Sequence, residues 1–184
     1  MQLRLATLQD IDSIMNVESN SFIPEIQESR EVFEERINTF PSGFLVFEDE
    51  SKLKAKPQAS QIVGYFCAER WEQIPASNKL FELGHSAKQT HKATGKVLYI
   101  SSFAILPEFR GKNIGSNLFA QSLDFILNRT ENKSIETLLL LVNEDWKSAI
   151  RIYENYGFKT VQQVTGIFPA KSGIIMKYDK KGNL

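Results

Sequence analysis

Residues 103–119 hold the densest chemistry in this 184-residue chain. The stretch reads Phe103-Ala104-Ile105-Leu106-Pro107-Glu108-Phe109-Arg110-Gly111-Lys112-Asn113-Ile114-Gly115-Ser116-Asn117-Leu118-Phe119. An apolar strand stops at Pro107, and a basic turn containing glycine then opens directly into an amphipathic helix. Such a turn aims several backbone N–H groups, and the positive end of a helix dipole, at one phosphate. Small residues let that phosphate approach the main chain closely. The chemistry expected is the docking of a carrier that bears a diphosphate. The nucleotide-loop spacings Gly-x-x-x-x-Gly-Lys-Ser/Thr and Gly-x-Gly-x-x-Gly are both absent, which argues against a nucleotide loop.

The elements that must position this turn alternate in type. Leu3-Arg4-Leu5 reads as a short strand, and Thr7 or Asp10 then caps a helix through about Asn20 that buries Ile11, Ile14, Met15 and Val17. Pro24 separates it from a second helix over 27–39, marked by Val32, Phe33 and Ile37. Residues 43–47 and 62–71 read as hairpin strands, joined by a polar turn region over 48–60 with Pro57. Residues 72–95 form a long polar connection, a kind of segment that is usually functional or mobile. A strand over 96–105 feeds the turn, and the helix beyond it runs to about Asn128. The apolar run 135–142 suits a strand buried on both faces. Residues 143–156 read as a helix with Ala149, Ile150, Tyr153 and Tyr156 at helical spacing, stopped by Gly157. Strands over 158–165 and 173–178 close the chain. This order predicts one α/β domain with a mixed sheet over residues 1–180, followed by a short tail, 181–184.

Composition narrows the partners. Twenty-two basic side chains balance 22 acidic ones, which argues against bulk nucleic-acid binding and against a polybasic membrane patch. The charge is unevenly spread: residues 1–50 carry 11 acidic and three basic side chains. That excess fits either a front portion near a cationic substrate or a solvated acidic helix. Cys67 is the sole cysteine, so an internal disulfide is impossible and a reducing, cytoplasmic setting is expected. Cys67 lies in an apolar strand and reads as core rather than nucleophile. His85 and His91 have no familiar metal-ligand spacing with it, so no metal site is expected. No apolar run is long enough to span a membrane.

Two motifs, taken with the order of elements, resemble the GNAT superfamily of acyl-CoA N-acyltransferases over about residues 3–178. The first is the stretch from Leu106 to Gly115, which is similar to the family's pyrophosphate loop, Arg/Gln-x-x-Gly-x-Gly/Ala. Asn113 stands where that loop usually carries its first glycine. The second is Ala149-Ile150-Arg151-Ile152-Tyr153-Glu154-Asn155-Tyr156-Gly157-Phe158, which resembles the family signature ending in Tyr-x-x-x-Gly-Phe. Within the superfamily, Glu18-Ser19-Asn20-Ser21-Phe22-Ile23, Tyr65-Phe66-Cys67-Ala68-Glu69-Arg70-Trp71 and Gly84-His85-Ser86 resemble the arylalkylamine (serotonin) N-acetyltransferase branch. That branch carries histidines on its fourth strand, where Tyr99 and Ser101 stand here.

The resemblance implies a central, mostly antiparallel sheet of six to seven strands, splayed between strands 4 and 5 and flanked by about four helices. It implies acetyl-CoA as acyl donor and a small-molecule or peptide amine as acceptor, joined by direct attack in a ternary complex. The main chain of Phe103, Ala104 and Ile105 would hold the pantetheine arm, with the Ile105 N–H on the thioester carbonyl. Arg110, Gly111, Lys112, Asn113, Ile114, Gly115 and Ser116 would bind the pyrophosphate, and Tyr153 matches the family's general acid. Strand alternation places Tyr99, Ser101 and Phe103 on one face, assigned to the acceptor pocket. Phe22, Glu69 and Trp71 are further candidates for that pocket, and Glu69 and Glu144 are candidate bases. A non-catalytic acyl-CoA sensor is the alternative, and monomer and homodimer both stay open.

Overall fold

The computed structural model describes residues 1–49 and 61–180. Seven strands form one sheet: β1 (Gln2–Leu5), β2 (Phe44–Asp49), β3 (Gln61–Trp71), β4 (Val97–Ile105), β5 (Thr137–Asn143), β6 (Lys159–Phe168) and β7 (Lys171–Asp179). Their spatial order is β1-β2-β3-β4-β5-β7-β6. Every neighbouring pair is antiparallel except β4 and β5, which run parallel. Five helices flank the sheet: α1 (Ile11–Ser21), α2 (Arg30–Thr39), the single-turn α3 (Ala87–Thr90), α4 (Ile114–Leu127) and α5 (Lys147–Tyr156).

Strand β3 explains the layering. All but its first residue are buried, because both of its faces are covered. Successive side chains leave a strand on opposite sides, so the Tyr65 ring meets Phe33 of α2 at 5.3 Å while Phe66 meets Phe119 of α4 at 5.9 Å. Helices α1, α2 and α3 thus share one face, and α4 and α5 the other. Among the described residues no helix is long and apolar enough to cross a membrane.

Several boundaries differ from those expected. Helix α2 starts at Arg30 rather than 27, because the Ser29 hydroxyl caps it by accepting the Val32 N–H at 3.4 Å. The first hairpin strand runs on to Asp49, and the rest of the expected 48–60 turn lies outside the described residues, as does the tail 181–184. The 72–95 connection is not polar throughout, since it buries Phe81 and Ala87 and forms α3. Asn143 stays in strand β5, and its side-chain oxygen accepts the Asp145 N–H at 2.9 Å, a local turn that delays α5 until Lys147. Helix α5 ends as expected at Gly157, whose φ of 117° lets its N–H reach the Tyr153 carbonyl at 3.1 Å.

Two irregularities shape the site. Strands β4 and β5 pair only from Val97↔Thr137 to Ile100↔Leu140, after which β4 continues to Ile105 without β5. Beyond Ile100 the sheet is therefore splayed. At the same level β4 bulges: Ser102 pairs with Cys67 and Ile100 with Ala68, which leaves Ser101 unpaired. A bulge inserts one residue and resets the alternation of faces.

Candidate active site

The splay frees one edge of β4. The Leu106 N–H bonds to the Val63 carbonyl at 2.8 Å, which marks a hydrogen-bonded pair with β3. Antiparallel alternation then turns the main-chain groups of Ala104 toward β3 and those of Phe103 and Ile105 away from it, into the splay. Ala104 therefore spaces the two outward residues and offers no free amide itself. The outward Ile105 carbonyl is taken by Arg110 Nε at 2.7 Å, which ties the following turn back to the strand.

That turn has an unusual backbone. Gly111, Lys112 and Asn113 hold φ values of 92°, 47° and 61°, three positive angles in succession. Nothing lies within 4 Å of where a Gly111 Cβ would stand, so the angle and not the space calls for glycine there. Asn113 sits in the left-handed region as the residue before α4, and asparagine is among the few side chains that adopt it readily. No side chain caps α4, so its first-turn N–H groups keep the open valences of any uncapped helix start. The Ile114 N–H is spent on the Gly111 carbonyl at 2.9 Å, which leaves Gly115 and Ser116 as the first-turn donors. Arg110 and Lys112 are exposed beside them.

Tyr153 lies on α5 with its ring on Phe119 at 5.0 Å, and Phe119 also meets Phe103 of β4 at 5.5 Å. One α4 side chain thus joins the freed strand edge to the phenol. Tyr153 is 8% exposed, burial pushes its phenol pKa up, and its hydroxyl makes no hydrogen bond among the described residues. A group of this kind stays protonated near neutrality and has a proton to give.

The acceptor-side candidates are dispersed. The bulge overturns the expected common face of Tyr99, Ser101 and Phe103. Tyr99 stacks on Trp71 at 4.1 Å on the α1 side, Phe103 packs on the α4 side, and Ser101 donates to the Cys67 carbonyl at 3.2 Å. Tyr99 and Trp71 belong to a small core with Phe81 and Val97. Glu69 is 1% exposed and accepts from His85 Nε2 and, at 2.6 Å, from the Thr90 hydroxyl. Burial opposes its ionisation, but the His85 and Thr90 bonds outweigh that and hold its carboxyl below the usual range. Glu144 accepts from the Ser172 N–H at 3.0 Å and from Gln163 at 3.1 Å, and so pins the β6–β7 hairpin. Phe22 meets Trp146 at 5.4 Å, and Trp146 meets Phe168 at 5.6 Å, an aromatic run across the splay. Trp146 and Phe168 carry no local sequence signal, because only the fold brings them to Phe22.

The sequence profile of the acetyltransferase (GNAT) family matches residues 11–158. The chain belongs to that family. Like the loading GNATL domain of CurA from Lyngbya majuscula, it has the GNAT fold: the TM-score is 0.77 at 17% identity, over 97% of this chain and 96% of that one. A GphF GNAT-like decarboxylase in complex with isobutyryl-CoA matches with a TM-score of 0.75 at 18% identity, over 97% and 99% of the two chains. Among curated proteins, mycothiol acetyltransferase of Renibacterium salmoninarum is 26% identical over 117 residues, 64% of this GNAT chain. The chain spans only 26% of that relative's length. This relative lies outside the arylalkylamine branch, and the present GNAT chain places no histidine on β4. The resemblance to that branch is therefore not supported.

Proposed function

We propose that this protein is an acetyl-CoA-dependent N-acetyltransferase that acts on a primary amine by direct attack in a ternary complex. The carrying observation is the junction at Phe119, which packs against both Phe103 on the freed β4 edge and Tyr153, whose hydroxyl has no partner among the described residues. Phe103 offers its outward main-chain groups to a pantetheine amide as an added strand would. The Ile105 N–H is the donor for the thioester oxygen as it gains charge in the tetrahedral intermediate. N–H groups of Gly111, Lys112, Asn113, Gly115 and Ser116 receive the pyrophosphate, with Arg110 and Lys112 supplying charge. Tyr153 gives its proton to the departing thiolate. Residues 1–180 act as one catalytic domain, and the lone buried thiol of Cys67 supports a cytoplasmic location.

The test is release of free thiol from acetyl-CoA against a panel of small and peptide amines. Amine-dependent release supports transfer, and the Tyr153 hydroxyl, without a partner among the described residues, favours that result. Binding of acetyl-CoA with no amine-dependent release would instead identify a sensor.

A further inference from the structure

The acetyl-transfer reading leaves one chemical task without a residue, because an acceptor arriving as an ammonium must lose a proton before it attacks. The three obvious bases are already committed. His85 has both ring nitrogens against protein oxygens, Nε2 on Glu69 and Nδ1 at 3.2 Å from the Glu82 carbonyl. Glu69 holds His85 on one oxygen and Thr90 on the other, and Glu144 holds the Ser172 N–H and Gln163 of the β6–β7 hairpin.

A different buried carboxylate is connected to the splay. Glu18 is 1% exposed, on the same stripe of α1 as Ile11 and Ile14. Tyr65 donates its phenolic proton to Glu18 Oε2, and the same phenol oxygen lies 2.7 Å from Ser102 Oγ. Ser102 is half-buried and follows the bulge directly, on the part of β4 that β5 has left. Its bond to Tyr65 puts its hydroxyl on the α1 face, opposite the α4 side where the carrier loop lies. Glu18 Oε1 accepts the Glu28 N–H at 2.8 Å, and Glu28 is fixed in turn by Arg36 at 3.0 Å and by the Gly84 N–H at 3.2 Å. No cation contacts Glu18 among the described residues. An apolar side chain would fill that position at lower cost, since a buried carboxylate without a cation is expensive.

We infer, on the footing of the acetyl-transfer reading, that Ser102, Tyr65 and Glu18 form a proton relay that deprotonates the acceptor amine. Ser102 is the group that meets the ammonium, and Tyr65 and Glu18 act through it. The N–H bond of the ammonium breaks and its proton goes to Ser102 Oγ. The Ser102 proton moves to Tyr65 Oη, and the Tyr65 proton moves to the Glu18 carboxylate. The amine keeps the electron pair it uses to attack the thioester carbon. Glu18 returns the proton by the same path to solvent after product leaves, which is the one proton released per acetyl transfer, while the second proton lost by the nitrogen as the amide forms replaces the one Tyr153 gives to the thiolate. The charged and titratable groups facing Glu18 are Glu28 from the segment before α2, Arg36 from α2 and Tyr65 from β3. Burial raises the Glu18 carboxyl above its usual range, which brings it nearer to the ammonium it must serve.

The test compares wild type with Ser102→Ala and Glu18→Gln on two acceptors, a strongly basic alkylamine and a weakly basic amine already neutral at the assay pH. With the basic acceptor, kcat/KM falls roughly 10²- to 10⁴-fold in both variants, while acetyl-CoA affinity stays near wild type. With the weakly basic acceptor both variants return to near wild-type rates, since no proton has to be removed. The acid limb of the wild-type pH profile is lost in Glu18→Gln. Equal losses on both acceptors, or no loss on either, would overturn the relay; should Glu18→Gln fail to fold, Ser102→Ala decides alone. A wild type that binds acetyl-CoA yet acetylates neither amine overturns the underlying acetyl-transfer reading, and a relay-specific failure leaves wild-type turnover intact.

Discussion

Tyr99 stacks on Trp71 at 4.1 Å on the α1 side of the sheet, whereas Phe103, further along the same strand, meets Phe119 at 5.5 Å on the α4 side. The bulge at Ser101 separates these two halves of β4. The first half fills a core. The second half loses its β5 partner and turns Phe103 to the α4 side, so the bulge divides β4 into two differently packed halves.

Tyr153→Phe removes a hydroxyl with no hydrogen-bond partner among the described residues, so the ring contacts with Phe119 and Phe158 survive. Acetyl-CoA affinity by calorimetry and Tm should match wild type. Turnover should fall roughly 10²- to 10⁴-fold, the span of a general acid. Undiminished turnover would remove Tyr153 from the chemistry.

In the turn proposed to hold the pyrophosphate, Gly111→Ala meets open space but must hold a φ of 92°. A left-handed backbone costs a residue with a Cβ about 1–2 kcal/mol, or roughly 5- to 30-fold in an equilibrium. Acetyl-CoA binding should weaken by that order. Asn113→Gly, at a φ of 61°, should retain binding. Wild-type affinity in Gly111→Ala would show that the turn is not held this way in the complex.

A Cβ on Gly115 would stand 2.8 Å from Ile152 Cδ1, so this glycine sets how closely α4 approaches α5. Gly115→Ala should lower stability by about 1 kcal/mol, since the obstacle is the movable end of a side chain. Ile152→Val deletes that methyl group, so the double variant should recover part of the loss, a non-additivity visible in denaturant titrations. Strict additivity would place the strain elsewhere.

Much of the fold is legible in the sequence because each strand and helix carries its own period. Gly157 marks the end of α5, and the apolar run of β5 announces a strand covered on both faces. The bulge is not legible: Ser101-Ser102 has no local signal, and only pairing with Cys67 and Ala68 decides which residue is left out. Asn143 reads as a helix start because its side-chain bond to the Asp145 N–H appears only in three dimensions. Glu69 and His85 meet across the 72–95 connection, which no periodicity foretells. Glu18 did carry a signal, an acid on the buried stripe of Ile11 and Ile14.

The buried Glu18 carboxyl also predicts a pH dependence. Burial raises its pKa above the ordinary 4.5, so the folded protein holds this proton more tightly than the unfolded chain does. The stabilisation is therefore complete below 4.5 and is lost as pH rises through the raised value. Glutamine cannot ionise, so Glu18→Gln should gain in Tm relative to wild type as pH rises across that window. Parallel Tm curves would contradict the raised pKa.

Cys67 is fully buried, and burial pushes its thiol up to about 11. A thiol reagent near pH 8 should label the native protein only as fast as it opens, and should label it immediately in denaturant. Rapid native labelling would mean that the α1 face of β3 is far looser than its packing implies.

The most direct test of the central claim is a structure determined with acetyl-CoA bound. Pyrophosphate oxygens are expected within about 3 Å of the N–H groups of Gly111, Gly115 and Ser116, with the pantetheine arm along Phe103 and Ile105 and the thioester beside Tyr153. An acetyl-CoA seated elsewhere, with the β4–β5 splay empty, would contradict that claim.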